Sequence, residues 1–420
     1  MAGENTLTSL NTQFKYIQDK AMSLLPENAV LMKLVPEITE ATKQGRNYLV
    51  PTQLSHENGV TFGDGTVFAL NAASAAVYDE IDIVASPIIL LTQISESVAN
   101  RMANSKQSFI SEASLRAKVM YDSLARYLEI SMLYGKSSTG IGVSESVTYG
   151  GGPATTATVV ITAAQWSSGI WGGATGMVLD VYHTVSTKVT ANGAFTVTGV
   201  TVATRTIAIS GNATDLATLK TNETICYFLP KGAYANDMVG LDSQITGGVA
   251  YFGIDPTIYP LWQGQTYACG GASLTMGKVL AGDALAVGVG GLNSKSALIV
   301  SAKTFGNLNS DQAALRMYDS SYSGKNAENG SEGIKYKGAS GEIEIMVNNI
   351  VKEGEAYLLP VQHLKRVGAK ELSFQRPGKK DEFFQEIPGY SGYSLRAGAE
   401  FAILLEKPAQ AVKFTGIVNS

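Results

Sequence analysis

Residues 81–135 read IDIVASPIILLTQISESVANRMANSKQSFISEASLRAKVMYDSLARYLEISMLYG and contain the pattern that decides the fold. In the second half of this stretch, side chains suited to a core recur every three or four residues, at Phe109, Ala113, Ala117, Met120, Leu124, Tyr127 or Leu128, and Ser131. This period predicts an α-helix over 107–134, about 42 Å long at 1.5 Å per residue. Gly135 follows, where a C′ glycine commonly ends a helix. A helix of this length is typical of a structural spine rather than a catalytic scaffold.

Upstream of the helix, the 54 residues from Asn47 to Asn100 contain six acids and no lysine or arginine. The pattern predicts a two-stranded excursion in which strand 47–53 runs out, a glycine-containing tip over 57–65 turns, and strand 77–84 returns. An isolated ribbon of two strands is only marginally stable in water. We therefore expect the ribbon to lie on its own subunit or on a neighbouring one.

The N-terminal 46 residues contain a short amphipathic helix that Pro26 ends. Its apolar stripe consists of Leu7, Leu10, Phe14, Ile17, Ala21 and Leu24. Such a stripe needs a partner surface. The segment is either an arm that lies on another surface or a peripheral helix on its own domain.

Downstream of the helix, residues 136–160 are rich in glycine, serine and threonine and indicate a boundary. Residues 177–228 then alternate as short strands, with Asn192-Gly193 as a hairpin turn. Thr162 and Gln165 have the spacing of a capping box, which predicts a short helix ahead of these strands. These features predict a small inserted β domain. The sequence after Pro230 returns to mixed helix and strand, including a glycine-rich helix over 275–292 and strands up to the C-terminus.

Composition excludes several classes of protein. The chain has 420 residues, a net charge of −4 and 16% charged residues, which argues against a protein that grips nucleic acid through a basic face. Its 45% hydrophobic content excludes disorder. Cys226 and Cys269 cannot form a disulfide framework; we expect buried reduced thiols, with a single bridge between them as the alternative. No signal peptide is visible, and the apolar run 83–94 is too short to cross a bilayer.

A search for catalytic or ligand motifs finds none. The three histidines, His56, His183 and His363, lack metal spacing. Gly135-Lys136-Ser137 lacks the earlier glycine of a phosphate loop, and 288–291 lacks the third glycine of a dinucleotide fingerprint. Carboxylates alternate along the predicted strands at Asp79, Glu80, Asp82, Glu342 and Glu344, as on a solvated strand face. We therefore expect no catalytic residue, no cofactor and no metal site.

The order of these parts resembles the major capsid proteins of tailed bacteriophages, the Hong Kong 97-type fold. Residues 81–135 carry the resemblance, together with AAQWSSGIWGGATGMVLDVY at 163–182, which looks like the lead-in to the insertion domains of some members. The resemblance implies an α+β fold with the following parts: N-terminal arm 1–46, extended loop 47–86, peripheral domain 87–154 with spine helix 107–134, inserted β domain 155–232, axial domain 233–370 with peripheral segments, and return strands of the peripheral domain 371–420.

The function that the resemblance implies is a non-enzymatic, self-assembling structural protein. Hexamers and pentamers of the chain would form the icosahedral head of the virion, assembled in the host cytoplasm. Its partners would be copies of itself, a separate scaffold protein, a portal protein, a decoration or cement protein, and packaged double-stranded DNA bound without sequence specificity; no membrane is involved. The alternatives are a bacterial nanocompartment shell of the same fold, a surface or tail-fibre adhesin, and an enzyme whose site follows no motif.

Two surfaces are predicted to join the subunits. The first is the extended loop, with contact residues Glu57, Val60, Phe62, Asp64, Val67 and Phe68. The second lies within 362–413, which contains nine basic residues and six acids. Its contact residues are Lys365, Arg366, Arg376, Lys379 and Lys380. Surfaces of opposite sign on one chain suit head-to-tail association.

The type member of the family has a lysine on the extended loop that forms an amide bond to an asparagine of a neighbour. Here no lysine lies between Lys43 and Lys106, so we predict shells held by non-covalent contacts. Particles boiled in denaturant and reducing agent should run on a gel as one band near 44.3 kDa. A ladder of covalent oligomers would contradict this prediction and direct attention to Lys33, Lys43 and Lys106.

Overall fold

The computed structural model describes residues 30–36, 42–44, 47–63, 65–95, 106–183, 186–246, 248, 250–293, 295–316, 335–374 and 383–419. These residues form a mixed α and β structure with four sheets. The helix predicted over Leu7–Leu24 lies outside the described residues.

The ribbon predicted from the sequence is present. The first elements are α1 (Val30–Leu34), β1 (Thr42–Gln44), β2 (Asn47–Gln53), β3 (Tyr78–Val84) and β4 (Ser86–Ser95). Strands β1, β2 and β3 form an antiparallel sheet in which Asn47 lies opposite Val84 and Gln53 opposite Tyr78. One residue, the buried Ala85, separates β3 from β4, and β4 belongs to a different sheet. Both predicted strands are confirmed.

The predicted spine is helix α2 (Lys106–Tyr134), which confirms 107–134 within a residue. The expected role of Gly135 was wrong in one respect. The left-handed residue after the helix is Lys136, with φ 53°. Gly135 is required because the backbone approaches closely: a Cβ there would lie 2.3 Å from the carbonyl oxygen of Met238.

The segment after the spine forms a seven-stranded antiparallel sheet. Its elements are β5 (Ser144–Tyr149), β6 (Thr156–Ile161), α3 (Ser168–Trp171), β7 (Val178–His183), β8 (Thr187–Lys188), β9 (Phe195–Thr201), β10 (Thr206–Ser210), α4 (Ala213–Thr221) and β11 (Cys226–Pro230). The strand order is β11-β7-β9-β10-β6-β5, and β8 pairs with β7. The sheet thus includes β5, which lies before the predicted boundary at residue 155.

Two local predictions in this segment were wrong. Asn192-Gly193 does not close a simple hairpin, because β8 and β9 both pair with β7; the Asn192 amide instead donates 2.8 Å to Asp215 of α4. The Thr162 side chain caps no helix. Gln165 donates its amide to Glu355 at 3.2 Å, and Ser167 is the residue that caps α3.

The remainder of the chain contributes two sheets and four helices among the described residues. The helices are α5 (Ala233–Asn236), α6 (Leu241–Thr246), α7 (Met276–Gly290) and α8 (Ala302–Arg316). The strands are β12 (Gln265–Ala272), β13 (Lys295–Val300), β14 (Lys335–Gly338), β15 (Gly341–Val347), β16 (Ala356–Pro360), β17 (Leu364–Ser373), β18 (Phe384–Glu386), β19 (Gly392–Leu405) and β20 (Val412–Ile417). A mixed sheet has the order β12-β20-β16-β13-β15-β14, and β17, β18 and β4 pair with β19.

Two large hydrophobic clusters form the core. The first joins the buried face of α2 to the seven-stranded sheet and the β19 sheet; in it Trp166 stacks on Trp171 with ring centroids 6.3 Å apart. The second lies between α7 and the six-stranded sheet. Cys226 and Cys269 are both free and buried, as expected. Within the described ranges, no helix has the length and apolar character that crossing a membrane requires.

A cluster of four buried ionisable side chains connects the end of the spine to the six-stranded sheet. They are Asp242 on α6, Lys352 and Glu355 before β16, and Lys413 on β20. The Lys413 ammonium bonds to Asp242 and lies 3.1 Å from Glu355. Lys352 Nζ donates at 2.9 Å to Thr139 Oγ1 and to the Gly140 carbonyl. The Tyr357 hydroxyl lies between the two carboxylates, 2.9 Å from Asp242 and 2.8 Å from Glu355.

Burial and charge act in opposite directions on these groups. Burial lowers the pKa of Lys352 to about 8. Burial also opposes ionisation of Lys413 and Asp242, but their mutual attraction, with help from neighbouring charges, outweighs it. The pKa of Lys413 is therefore raised and that of Asp242 lowered. The cluster is stable because the charges satisfy one another.

We predict that Lys413→Met destabilises the subunit by about 3–5 kcal/mol, because it leaves two buried carboxylates without their main partner. Urea or guanidinium unfolding of the assembly-free chain measures the change. Lys365→Met is the matched control: Lys365 pairs with Glu406 at 2.6 Å in a partly exposed setting, where such pairs contribute less than about 1 kcal/mol. Equal losses in the two variants would contradict the role given to the buried cluster.

Candidate assembly surfaces

The tip of the extended loop exposes large apolar side chains to solvent. Phe62 is 93% exposed, and Val60, Val67, Phe68 and Leu70 are also exposed. Glu57 is exposed beside them, whereas Asp64 lies outside the described residues. Leu70 was missed from the sequence, although it continues the same apolar pattern. Clusters of exposed apolar side chains are common at interaction surfaces, and the contact role of these residues stays a prediction.

The tip keeps its shape through a few local contacts. Leu54 N donates to Val77 O at 2.8 Å, and Asn58 N donates to Ser74 O at 3.0 Å. The Asn71 side chain donates to the Val60 carbonyl at 2.9 Å. The Phe68 ring covers Gly63 so closely that a Cβ at Gly63 would lie 2.1 Å from it. The tip is thus a folded excursion that presents its apolar side chains outward.

The base of the loop is packed firmly on its own subunit. Ile81 and Ile83 are buried, which confirms the predicted alternation along β3. Asp82 N donates to the carbonyl of Phe252 at 3.0 Å, and Phe252 itself has a left-handed φ of 52°. A non-glycine residue in that region is uncommon and is held there by its surroundings. The loop is therefore anchored at its base and exposed at its tip.

A cavity lies beside this base. It is lined by the β3–β4 junction, by Lys136, by 235–239 and by Phe252 and Gly253. Burial raises the pKa of Asp237 in its wall to about 6. Ser131 Oγ and Met238 N both donate to the Asp237 carboxylate, at 3.1 and 2.8 Å. Nowhere in the described part of the chain do three or more His, Cys, Asp or Glu side chains gather in a way that could hold a metal ion.

The end of the N-terminal arm, 30–36, lies on its own subunit. The buried Glu129 of the spine accepts a hydrogen bond from Met32 N at 3.1 Å and another from the Asn348 amide at 3.0 Å. Burial raises the pKa of Glu129 to about 7. On the other side, Arg366 donates from Nε to the carbonyl of Val35 and from its backbone N to that of Pro36, at 2.9 and 2.8 Å. This part of the arm therefore contacts its own subunit, while the two alternatives for the helix at Leu7–Leu24 stay open because that helix lies outside the described residues.

The predicted basic surface is less available than its composition indicates. Lys365 pairs with Glu406 at 2.6 Å, and Arg366 with Glu371 at 2.9 Å. Arg376, Lys379 and Lys380 lie outside the described residues. Lys413, which was counted among the nine basic residues, is buried in the charge cluster. Counting it as surface charge was wrong, while the contact role of the five named residues remains a prediction.

Three of the five predicted carboxylates, Asp79, Glu80 and Glu344, lie on ordinary strand surfaces, whereas Asp82 and Glu342 are half-buried. Asp79 and Glu80 are exposed. Glu344 is only partly buried and pairs with Lys295 across the β13–β15 pair at 3.0 Å. This is the arrangement of a solvated sheet face rather than of an acid–base pair.

Comparison with known proteins gives a likeness of structure alone, since no protein-family model and no curated protein matches the chain. The capsid asymmetric unit of cyanophage A-1(L) contains a chain that aligns with a TM-score of 0.52 at 10% identity, covering 93% of both chains. A native GTA particle capsid gives a TM-score of 0.47 at 8% identity, covering 94% of this chain and 92% of that one. An encapsulin complex from Synechococcus elongatus PCC 7942 gives 0.42 at 7% identity, covering 94% and 89%.

The cyanophage likeness extends over nearly the whole of both chains. Its low identity means that it speaks for the fold and not for individual residues. The Hong Kong 97-type prediction is confirmed at this level, and the chain has the α+β fold of a phage capsid protein.

Proposed function

We propose that the chain is a major capsid protein of a tailed bacteriophage, whose hexamers and pentamers form the icosahedral head around double-stranded DNA. The observation that carries the proposal is the arrangement of the loop. Its base is anchored by the buried Ile81 and Ile83, and its tip exposes Phe62 and Val67. The capsid fold shared with the cyanophage chain supports it.

The chemistry of the loop favours a protein partner over nucleic acid. The stretch 47–100 has six acids and no lysine or arginine, so it would repel phosphates. Its exposed side chains are instead apolar. Burying each of Phe62 and Val67 on a partner would contribute about 1.5–3 kcal/mol. A shell made of many copies gains this contribution at every contact, and the partner we propose is therefore a neighbouring copy.

The remaining partners follow from the same proposal. The net charge of −4 suits a wall that encloses DNA without gripping it. A scaffold protein would guide assembly in the host cytoplasm, and a portal and a decoration protein would join the shell in the virion. No catalytic step is assigned to any residue.

Electron microscopy of the purified chain is the test. Closed icosahedral particles are expected, and those isolated after infection should contain nuclease-protected DNA. Closed particles that hold protein cargo and no nucleic acid would favour the nanocompartment alternative. Absence of closed particles both from the purified chain, over the whole range of protein concentration and salt, and from infected cells would contradict both shell functions.

The loop-tip contact gives a sharper prediction. The double variant Phe62→Ser/Val67→Ser should remain folded, because both side chains are exposed, but should fail to form closed shells. Size-exclusion chromatography and electron microscopy measure assembly, and the thermal midpoint of the unassembled chain measures folding.

Tyr390→Ser provides the matched control, since Tyr390 is 79% exposed and lies far from the loop in sequence. Assembly of this control with failure of the loop variant supports the proposal. Shells of normal size and yield from the loop variant would remove the loop from the assembly mechanism.

A further inference from the structure

The chain contains three Asn-Gly dipeptides, at Asn58-Gly59, Asn192-Gly193 and Asn329-Gly330. The last of these lies outside the described residues. Asparagine is a thermolabile residue, because its side-chain amide can react with the backbone nitrogen of the next residue. A following glycine has no Cβ to hinder that approach. The two described dipeptides have different surroundings, and the difference predicts different chemistry.

Asn58-Gly59 lies on the outgoing side of the extended-loop tip, outside any helix or strand, and both residues are exposed. The Asn58 side chain donates from Nδ2 to the carbonyl of His56 at 3.2 Å. Water competes for a hydrogen bond at such an exposed position. Among the described residues, none accepts a hydrogen bond from Gly59 N. The Asn58 side chain is therefore free to turn its Cγ towards that nitrogen.

Asn192-Gly193 is the opposite case, because a buried carboxylate holds the asparagine. The Asn192 side-chain amide donates to one oxygen of Asp215 at 2.8 Å, and the Asn192 backbone N donates to the other at 2.9 Å. Asp215 is itself only 2% exposed. A carboxylate close by also disfavours the negative charge that the Gly193 nitrogen must carry in order to attack. Asn192 is thus kept away from the reactive geometry.

We propose that Asn58 is a deamidation site, which converts to aspartate and isoaspartate while the chain is unassembled. Gly59 N loses its proton to solvent and attacks Cγ of Asn58. The bond from Cγ to Nδ2 breaks, and the nitrogen takes up a proton and leaves as ammonia, so that a five-membered succinimide remains. Water then opens one of the two C–N bonds of the ring. One opening gives aspartate, and the other gives isoaspartate, in which the main chain runs through the former side chain.

The conversion falls where the two sides of the tip touch. Asn58 N donates to the carbonyl of Ser74 at 3.0 Å, and a Cβ at Gly59 would lie 3.2 Å from Cα of Ala73. Isoaspartate inserts a carbon atom into the main chain at this point. Both products add a negative charge to a stretch that already has six acids and no lysine or arginine. The close pairing of the two sides is therefore disturbed, and with it the arrangement of the apolar side chains at the tip.

The effect on assembly rests on the proposed shell function. The reaction runs in one direction, because ammonia is lost to solvent. A chain that waits unassembled should lose the ability to join a shell as its Asn58 converts. A chain whose tip is covered by a neighbour should be protected, because the backbone at 58–59 can no longer reach the geometry of ring closure.

Peptide mapping of the full-length, unassembled chain tests the site. The chain is kept in mildly alkaline buffer, and mass spectrometry of tryptic digests measures the conversion of each asparagine with time. Trypsin releases 47–101 as one peptide, since no lysine or arginine lies inside it, and 189–205 as another. Asn58 should convert at least about tenfold faster than Asn192, and an isoaspartate-specific methyltransferase should label 47–101. Comparable rates at the two asparagines would overturn the proposal.

Asn58→Gln is the matched variant for the effect on assembly. Glutamine keeps the amide, but its additional methylene makes ring closure much slower. Freshly purified Asn58→Gln should assemble like the fresh wild-type chain. After the same incubation, the wild-type chain should lose assembled fraction in step with the conversion of Asn58, while the variant keeps it. Equal losses in the two chains would overturn the effect of Asn58 on assembly.

The outcomes separate this inference from the proposed function. Rapid conversion of Asn58 in a wild-type chain that forms no particles contradicts the shell function and supports the modification site. Closed particles in which Asn58 converts as fast as in the unassembled chain overturn the protection by assembly and leave the shell function standing.

Discussion

The whole subunit depends on bringing four buried ionisable groups together at one point. Asp242, Lys413 and the pair Lys352 and Glu355 come from three separate segments of the second half of the chain. Tyr134, the last residue of the spine, accepts a hydrogen bond from Lys352 N at 2.9 Å. Each group alone would be costly to bury, and together they neutralise one another. In the observed placement of the spine, α6 and the six-stranded sheet, all four have a partner. The two hydrophobic clusters are therefore joined by a polar contact that specifies geometry, which apolar packing does poorly by itself.

The sequence predicts secondary-structure elements best where a long local pattern of apolar residues packs on a single apolar surface. The spine and the two ribbon strands are of this kind, and their bounds agree with the structure within a residue. Predictions failed where a distant contact decides the local conformation. Position 135 needs a glycine because the carbonyl oxygen of Met238 lies close by. The Asn192 side-chain amide donates a hydrogen bond to Asp215. The Gln165 amide donates a hydrogen bond to Glu355. The charge cluster has no local pattern, since its members are spread from 242 to 413, and nothing in their spacing brings them together.

The two predicted assembly surfaces differ for a related reason. The exposure of the loop tip could be predicted because its apolar residues lie among glycines, with no core-forming pattern beside them. Nothing near them in the sequence could bury them. A count of basic residues does not show which of them form ion pairs or are buried. The count therefore included the buried Lys413 and Lys365, which is paired with Glu406.

The single residue between β3 and β4 makes the extended loop a lever. Ala85 is buried and joins two strands that belong to different sheets, so a rotation about its backbone bonds, if the packing at the base allowed it, would redirect β3 together with its partner β2. Strand β3 alone spans about 23 Å at ~3.3 Å per residue, and a turn of about 10° moves its far end by about 4 Å. The hydrogen bond from Asp82 to Phe252 resists such a turn from only three residues away, whereas a contact at the tip acts over the full length. Torque grows with distance from the pivot. A surface that held the tip would therefore have more leverage on the angle of the loop than the contacts at its base.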